Sequence, residues 1–418
     1  MCKPKKSSKK WSRRKFLKAA GIVGCGTAAH SFSSVFSPMR AWAFSGGAAK
    51  TIIHIDLDGG CPLNISPIFR SAYYDKNPNI SYQPGDAGVH VLSSEQGLHP
   101  ALTEVKRQWD NDNLAVFNLV GYQGENRSHE GSSMIMESGV THTSGVGGWM
   151  GRLACQLPSN PVAGIALSTS SGTLLQSNCE SRPLALNNLD SLGEDTFYYA
   201  QHTKWLQITR DGLFASASSP GANRGLRLLN DANQDFDRTI NLIEEELNAG
   251  LPVGFPNSGI GQQLRDAARI IQSDQIPCCV ISCSQGGYDL HSDERSRLQN
   301  RLGELNDALA AFGQTMDQLG RSNDYVVMIS TEFGRTHENG SQGNDHGHCQ
   351  TMLVYGGAVN GGIKTPTPSN SYIQSQGSYF RTHEIEFQSV IGGVVAYGLG
   401  LDAQATFPET NSFFNMFA

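Results

Sequence analysis

Charge is sparse in this chain: 17% of its 418 residues are Asp, Glu, Lys or Arg, and they balance to −6 with histidine neutral. An acidic balance excludes nucleic acid as the main partner, because a phosphate-binding surface needs a basic excess. No stretch approaches the roughly 18 consecutive apolar residues of a spanning helix, so no membrane span is expected in the mature protein. Cysteine never falls in the paired short spacings of a structural zinc site. No internal repeat is visible, which excludes solenoids and propellers. Glycine is plentiful, at 46 residues. With so little charge, that suits a loop-rich, enzyme-like fold better than a helical bundle.

The beginning of the chain reads as an export signal. Residues 12–18 are SRRKFLK, with paired Arg13 and Arg14, then an apolar stretch from Phe16 to Val23, then the small-residue site Ala41-Trp42-Ala43. This is the order of a twin-arginine signal, cleaved after Ala43. The twin-arginine export machinery is then a partner, and the periplasm or exterior the destination. A second reading stands beside it: Ile22-Val23-Gly24-Cys25 has the shape of a lipoprotein site, which would leave Cys25 lipidated and the protein anchored. Export in the folded state commonly carries a cofactor already inserted. Of nine cysteines, Cys2 and Cys25 lie in the leader, and the remaining seven cannot all pair within one chain.

Residues 44–418 form one large domain in this reading, with an insertion or cap around 159–225. Thr51 to Leu57 (TIIHIDL) is a β-branched run that stops at Asp58-Gly59-Gly60, as a buried strand delivering a loop does. Further strands are expected at Leu114 to Val120, Cys278 to Cys283, Tyr325 to Ser330 and Thr351 to Tyr355. A helix is marked by Leu298, Leu302, Leu305, Leu309, Phe312, Met316 and Leu319, spaced by fours and threes, with Gly320 as its cap. Another carries Leu264, Ala267, Ala268 and Ile271, and a third is expected from Asp235 to Asn248. Ser66-Pro67 reads as a helix start. Near-continuous apolar strands alternating with helices predict a mostly parallel sheet.

Ligands in such sheets sit beyond the carboxyl ends of the strands. Here those ends deliver Asp56 and Asp58, then Arg127-Ser128-His129-Glu130, then GGYDLH with Asp289 and His291, then Glu332, and soon after Asp345-His346-Gly347-His348. Carboxylates and imidazoles gathered at one edge are the ligand chemistry of zinc or manganese rather than of calcium alone. Singly, each has a blander reading: Asp289 and His291 could cap a helix, and Asp345, His346 and His348 could be solvated surface. Ser128 could be only a helix cap.

Several strings together resemble an exported bacterial family, the domain of unknown function 1501: Gly148-Trp149-Met150-Gly151-Arg152, GGYDLH at 286–291, RLGELNDALAAF at 301–312, EFGRT at 332–336 and ENGSQGNDHGH at 338–348 followed by GGAVNGG at 356–362. That family is related to the alkaline phosphatase and sulfatase superfamily. The resemblance implies a three-layer αβα sandwich with two metal ions at the strand ends. It implies Asp58, Asp289, His291, Glu332, Asp345, His346 and His348 as metal ligands, and Ser128 as nucleophile with His129 beside it, at the start of a segment closing in Ser138-Gly139. The sequence departs from the pattern at Cys61-Pro62-Leu63-Asn64. The sulfatase signature is also absent, since Ser66-Pro67-Ile68-Phe69-Arg70 has the wrong spacing. The expected function is a metal-dependent hydrolase of small anionic phosphate or sulfate esters. The alternative is a noncatalytic exported binding or structural protein that keeps the fold.

Overall fold

Three apolar runs, TIIHIDL, LAVFNLV and YVVMIS, build the middle of one sheet because both of their faces are covered. A computed structural model describes residues 49, 51–142, 146–157, 163–167, 173–177, 179, 184–185, 189, 250–273 and 278–417. The described residues belong to one compact unit comprising 44–190 and 231–418. The export signal, Cys25 and the helix expected at 235–248 lie outside the described residues, as does most of 159–225.

The strands are β1 (Thr51–Asp58), β2 (His90–Val91), β3 (Gly97–Leu98), β4 (Leu114–Gly121), β5 (Gly164–Ala166), β6 (Leu184–Ala185) and β7 (Val280–Gly286). They continue with β8 (Tyr325–Ser330), β9 (Arg335–Glu338), β10 (Asn344–His346), β11 (Gln350–Tyr355), β12 (Gly362–Ile363) and β13 (Ile385–Glu386). Among the described residues nine of these form one sheet in the order β12-β4-β11-β8-β1-β7-β5-β6, with β13 also on β4. β11 runs against both of its neighbours, and every other pairing in this sheet is parallel. The segment around 159–225, which the sequence left without structure, thus gives the sheet its β5 and β6 edge.

Strand alternation sends successive side chains to opposite faces. Ile52, Val280, Met328, Val354 and Phe117 share a core with helices α2 (His129–Ser138), α3 (Trp149–Cys155) and α6 (Phe387–Gly393). Residues of the other parity, Ile53, Ile281, Val327 and Leu353, are equally buried. They face the remaining helical layer, where α1 (Thr103–Asp110), α4 (Gly259–Gln272) and α5 (Glu294–Gln318) pack together. The fold is therefore α/β, a mostly parallel sheet between two helical layers. Leu298, Leu302, Leu305, Leu309, Phe312 and Met316 are fully buried on α5, each stabilising the fold by about 1.5–3 kcal/mol. Gly320 follows at φ 68°, the left-handed conformation that ends such a helix.

Ser66-Pro67 does not start a helix. Its hydroxyl donates to Gly97 O at 2.8 Å and accepts from Gln96 Nε2 at 2.9 Å, so Ser66 is tied across to β3, and the next helix begins at Ser71. Cys155 and Cys179 form a disulfide, while Cys61, Cys278, Cys279, Cys283 and Cys349 are free and buried.

Candidate metal centre

The carboxyl ends of β1, β7 and β8 lie side by side, and β4 ends at the same edge because it runs parallel to them through β11. The antiparallel course of β11 has a further consequence. Its start, not its end, lies at this edge, so Asp345, His346 and His348 arrive just before it.

Glu332 follows β8 and is buried. Its carboxylate accepts from Gly59 N at 3.0 Å, Gly60 N at 2.9 Å, Thr331 Oγ1 at 2.8 Å and His129 Nδ1 at 2.7 Å. Gly59 and Gly60 have φ of 117° and 75°, so only glycine turns both amides inward without strain. His129 gives its Nδ1 proton to Glu332 and turns Nε2 toward Asp289 Oδ1, 3.7 Å away. His346 is set the same way. Its Nδ1 donates to the Arg127 carbonyl at 2.8 Å, and its buried Nε2 has no hydrogen-bond partner, 3.3 Å from Asp289 Oδ1.

Asp289 is thus the hub. His129, Asp289 and His346 offer ligand atoms that all lie within 4.8 Å of one another. His291 adds Nε2 at 2.8 Å from the same carboxylate oxygen, while its Nδ1 lies 2.9 Å from Asp345 Oδ1. Burial raises the Asp289 pKa, but the hydrogen bond and charge of Arg335, with His291 and His129, outweigh it and hold the carboxyl below its ordinary value. Arg335 itself is fully buried, donating from Nε to Gly60 O at 2.7 Å and from Nη2 to Asp289 and to Gly59 O.

The expected residues divide by position. His129, Asp289, His291 and His346 converge, with Glu332 and Asp345 behind two of the rings. Asp58 stands open to solvent at the end of β1, its pKa raised by partial desolvation of the carboxyl and by Glu332, with Asp289 adding and His129 opposing. Asp56 lines a cavity of about 30 Å³ with His54, Glu137 and Glu332. His348 does not join the group: it is buried with its ring 5.0 Å edge-on to Tyr122, and Nδ1 has no partner. Ser128 caps α2, accepting from Gly131 N at 3.4 Å, and is exposed. Gly139 ends that helix at φ 69°. The sequence reading gave Arg335 no role, although an arginine directly after EFG, just beyond an apolar strand, is a signal for a charge held at the strand end.

The comparisons bear on this region. The family described as "Protein of unknown function (DUF1501)" matches residues 261–376. The matched stretch holds Asp289, His291, Glu332, Arg335, Asp345, His346 and His348, and leaves Asp58, Ser128 and His129 outside it. No curated protein sequence matches the chain. Among solved structures, a variant of the alkaline phosphatase PafA is 11% identical with a TM-score of 0.32, over 69% of this chain and 64% of that one. This chain therefore spans less than two thirds of that protein's length. The alkaline phosphatase from the Antarctic bacterium TAB5 is 11% identical with a TM-score of 0.30, over 74% of this chain and 92% of that one. The phosphonate monoester hydrolase of Agrobacterium radiobacter is 9% identical with a TM-score of 0.25, over 73% of this chain and 67% of that one.

Proposed function

We propose that the protein is an exported, metal-dependent hydrolase of phosphate or sulfate esters. The observation that supports this best is the direction of the ring nitrogens. His129 and His346 commit their Nδ1 protons outward, to Glu332 and to Arg127 O, and turn two Nε2 atoms toward one carboxylate oxygen. Arg335 already stands on that oxygen from one side, and a metal ion would meet the ring nitrogens from the other. A carboxylate and two or three imidazoles, each oriented by a partner on its far nitrogen, form a donor set for zinc or manganese.

His129, Asp289, His346 and His291 would hold one ion, and exposed Asp58 is the carboxylate open to a second. Glu332, engaged by four donors, orients His129, and Asp345 orients His291. A bound ion would polarise an ester oxygen and stabilise the leaving group. Arg335 keeps Asp289 ionised for that role. Ser128, exposed and one residue from His129, would attack phosphorus or sulfur in line as its hydroxyl proton passes to solvent; the bond to the bridging ester oxygen breaks, the alcohol leaves with a proton from water, and a second water hydrolyses the seryl ester to restore the hydroxyl. His348 is assigned to packing. Export is supported by the Cys155–Cys179 disulfide, a feature of oxidising compartments. Among the described residues no helix is long and apolar enough to cross a membrane.

The deciding experiment uses protein purified with its metal and a generic aryl phosphate and aryl sulfate. Ser128→Ala should abolish turnover, leave metal content intact and lower stability by only about 1 kcal/mol, the worth of a helix cap. A fully metal-loaded wild type that hydrolyses neither ester would replace this reading with the noncatalytic binding module.

A further inference from the structure

The string Gly148-Trp149-Met150-Gly151-Arg152 takes no part in the metal centre. Its two glycines admit a strap, residues 173–177, that crosses the start of α3. Gly148 N donates to Gln176 O at 2.9 Å, and Gly151 N to Leu174 O at 3.2 Å. A Cβ on Gly148 would stand 2.1 Å from Leu174 O and one on Gly151 2.0 Å from Gln176 O, so only glycine lets the two backbones come this close. The first residues of the strap also reach α2: the Glu137 carboxylate accepts from the amides of Thr173 and Leu174 and from the Thr173 hydroxyl. Beyond the strap the chain is tied covalently, Cys179 to Cys155, the last residue of α3.

What the strap covers bears on the site. Leu174 is buried, and it walls the cavity of about 30 Å³ that Asp56 and Glu332 also line. Glu332 orients His129, and His129 opens α2, the helix that Glu137 ties to the strap about two turns further on. Water let past Leu174 reaches Glu332 and competes with the donors that hold it. A few hydrogen bonds and one buried leucine are a weak closure by themselves, of the kind that opens locally without the rest of the fold. The disulfide adds the missing constraint, since it keeps the end of the strap beside α3. Cys155 and Cys179 are both only partly buried, within reach of a reductant.

We propose that the Cys155–Cys179 pair is a redox latch: oxidised, it holds the strap closed over the cavity beneath Glu332 and traps the metal ion; reduced, it lets the strap lift and the ion exchange. Closure joins two thiols in one S–S bond, and their two electrons and two protons pass to a disulfide oxidant of the receiving compartment, which leaves as two thiols. That order suits a chain exported folded, with metal entering on the reducing side and locked in on the oxidising side. The trapping of metal rests on the metal-centre reading, whereas the latching of the strap does not.

The test compares the mature protein as purified with the same protein reduced by a trialkylphosphine, which with one water turns the disulfide into two thiols and itself into the phosphine oxide. Hydrogen exchange, read by mass spectrometry, should rise at least about tenfold on reduction in the peptide carrying the Gly148 and Gly151 amides, and stay unchanged in α5. The ion should pass to a chelator faster by a similar factor. Cys155→Ser should match the reduced protein with or without the phosphine. Unchanged exchange at Gly148 and Gly151 overturns the latch. An equal rise in α5 overturns it too, because the disulfide is then a staple of the whole fold. So does a strap that opens while metal release keeps its rate. Should the purified protein hold no metal, the metal-centre reading falls, and exchange at the two glycines decides the latch alone.

Discussion

Glu294 offers the sharpest test of how the site is held. It opens α5, is fully buried, and accepts from Asn64 Nδ2 at 2.6 Å and from Asn344 Nδ2. Asn344 begins β10, the strand that carries Asp345 and His346. Burial pushes the Glu294 pKa from 4.5 up to about 8, against the pull of Asn64, Arg335 and Asn344, while Glu338 adds to the rise. In the unfolded chain this group ionises near pH 4.5; in the native protein it keeps its proton to about pH 8. Across that window unfolding releases a proton, so rising pH favours the unfolded chain. Stability from this group falls from about pH 4.5 and levels off above about pH 8. At about 1.36 kcal/mol per pH unit, the whole change is on the order of 5 kcal/mol. The neutral acid has a place for its proton: Asn344 Oδ1 is buried without a partner, and rotation of the amide presents it to Glu294.

Glu294→Gln removes the titration and keeps the shape. With Asn344 rotated in the same way, one hydrogen of the introduced amide is accepted by Asn344 Oδ1 and the other is left without an acceptor, at a cost of about 1–3 kcal/mol. The variant should therefore be the less stable protein at pH 5 and gain steadily on the wild type as pH rises, becoming the more stable near pH 9. Urea unfolding of both proteins at each pH from 5 to 9 measures the gap, and every other titrating group cancels. Parallel stability curves would refute the reasoning.

Three further outcomes are expected. Asp289→Ala, His129→Ala, His291→Ala and His346→Ala should each lower metal content and Tm, since a bound ion stabilises the fold by a few kcal/mol; full occupancy by metal analysis in all four would remove them as ligands. Replacing Arg13 and Arg14 together by Lys should leave precursor in the cytoplasm on fractionation, and a soluble wild-type protein beginning at Phe44 would exclude lipidation at Cys25. A Cβ at Gly334 would stand 1.7 Å from Cys349 O, so Gly334→Ala should cost about 3 kcal/mol or more in a denaturant melt; wild-type stability would show that the turn before β9 yields.

Local pattern alone determined much of this protein. The β-branched runs at Thr51 and Tyr325, the four-three spacing from Leu298 to Met316, and the Ser128 and Gly139 caps are written in neighbouring residues, because strand and helix periods repeat over a few positions. So are the acidic and imidazole residues that close the strands. Tertiary structure alone decided what those residues face. The apolar run at Thr351 carries no mark of direction, yet the antiparallel course of β11 is what brings His346 to the edge where Asp289 stands. Nothing near Leu119 announces its φ of 51°, where a register shift between β4 and β11 bends the strand that leads to His129. Glu332 looks like a ligand in sequence, and its four donors come from three different segments. Its bonds to Gly59 and His129 cross 273 and 203 residues. A donor that far along the chain leaves no trace in local composition, so whether a carboxylate orients a histidine or holds a metal is settled only when the chain closes on itself.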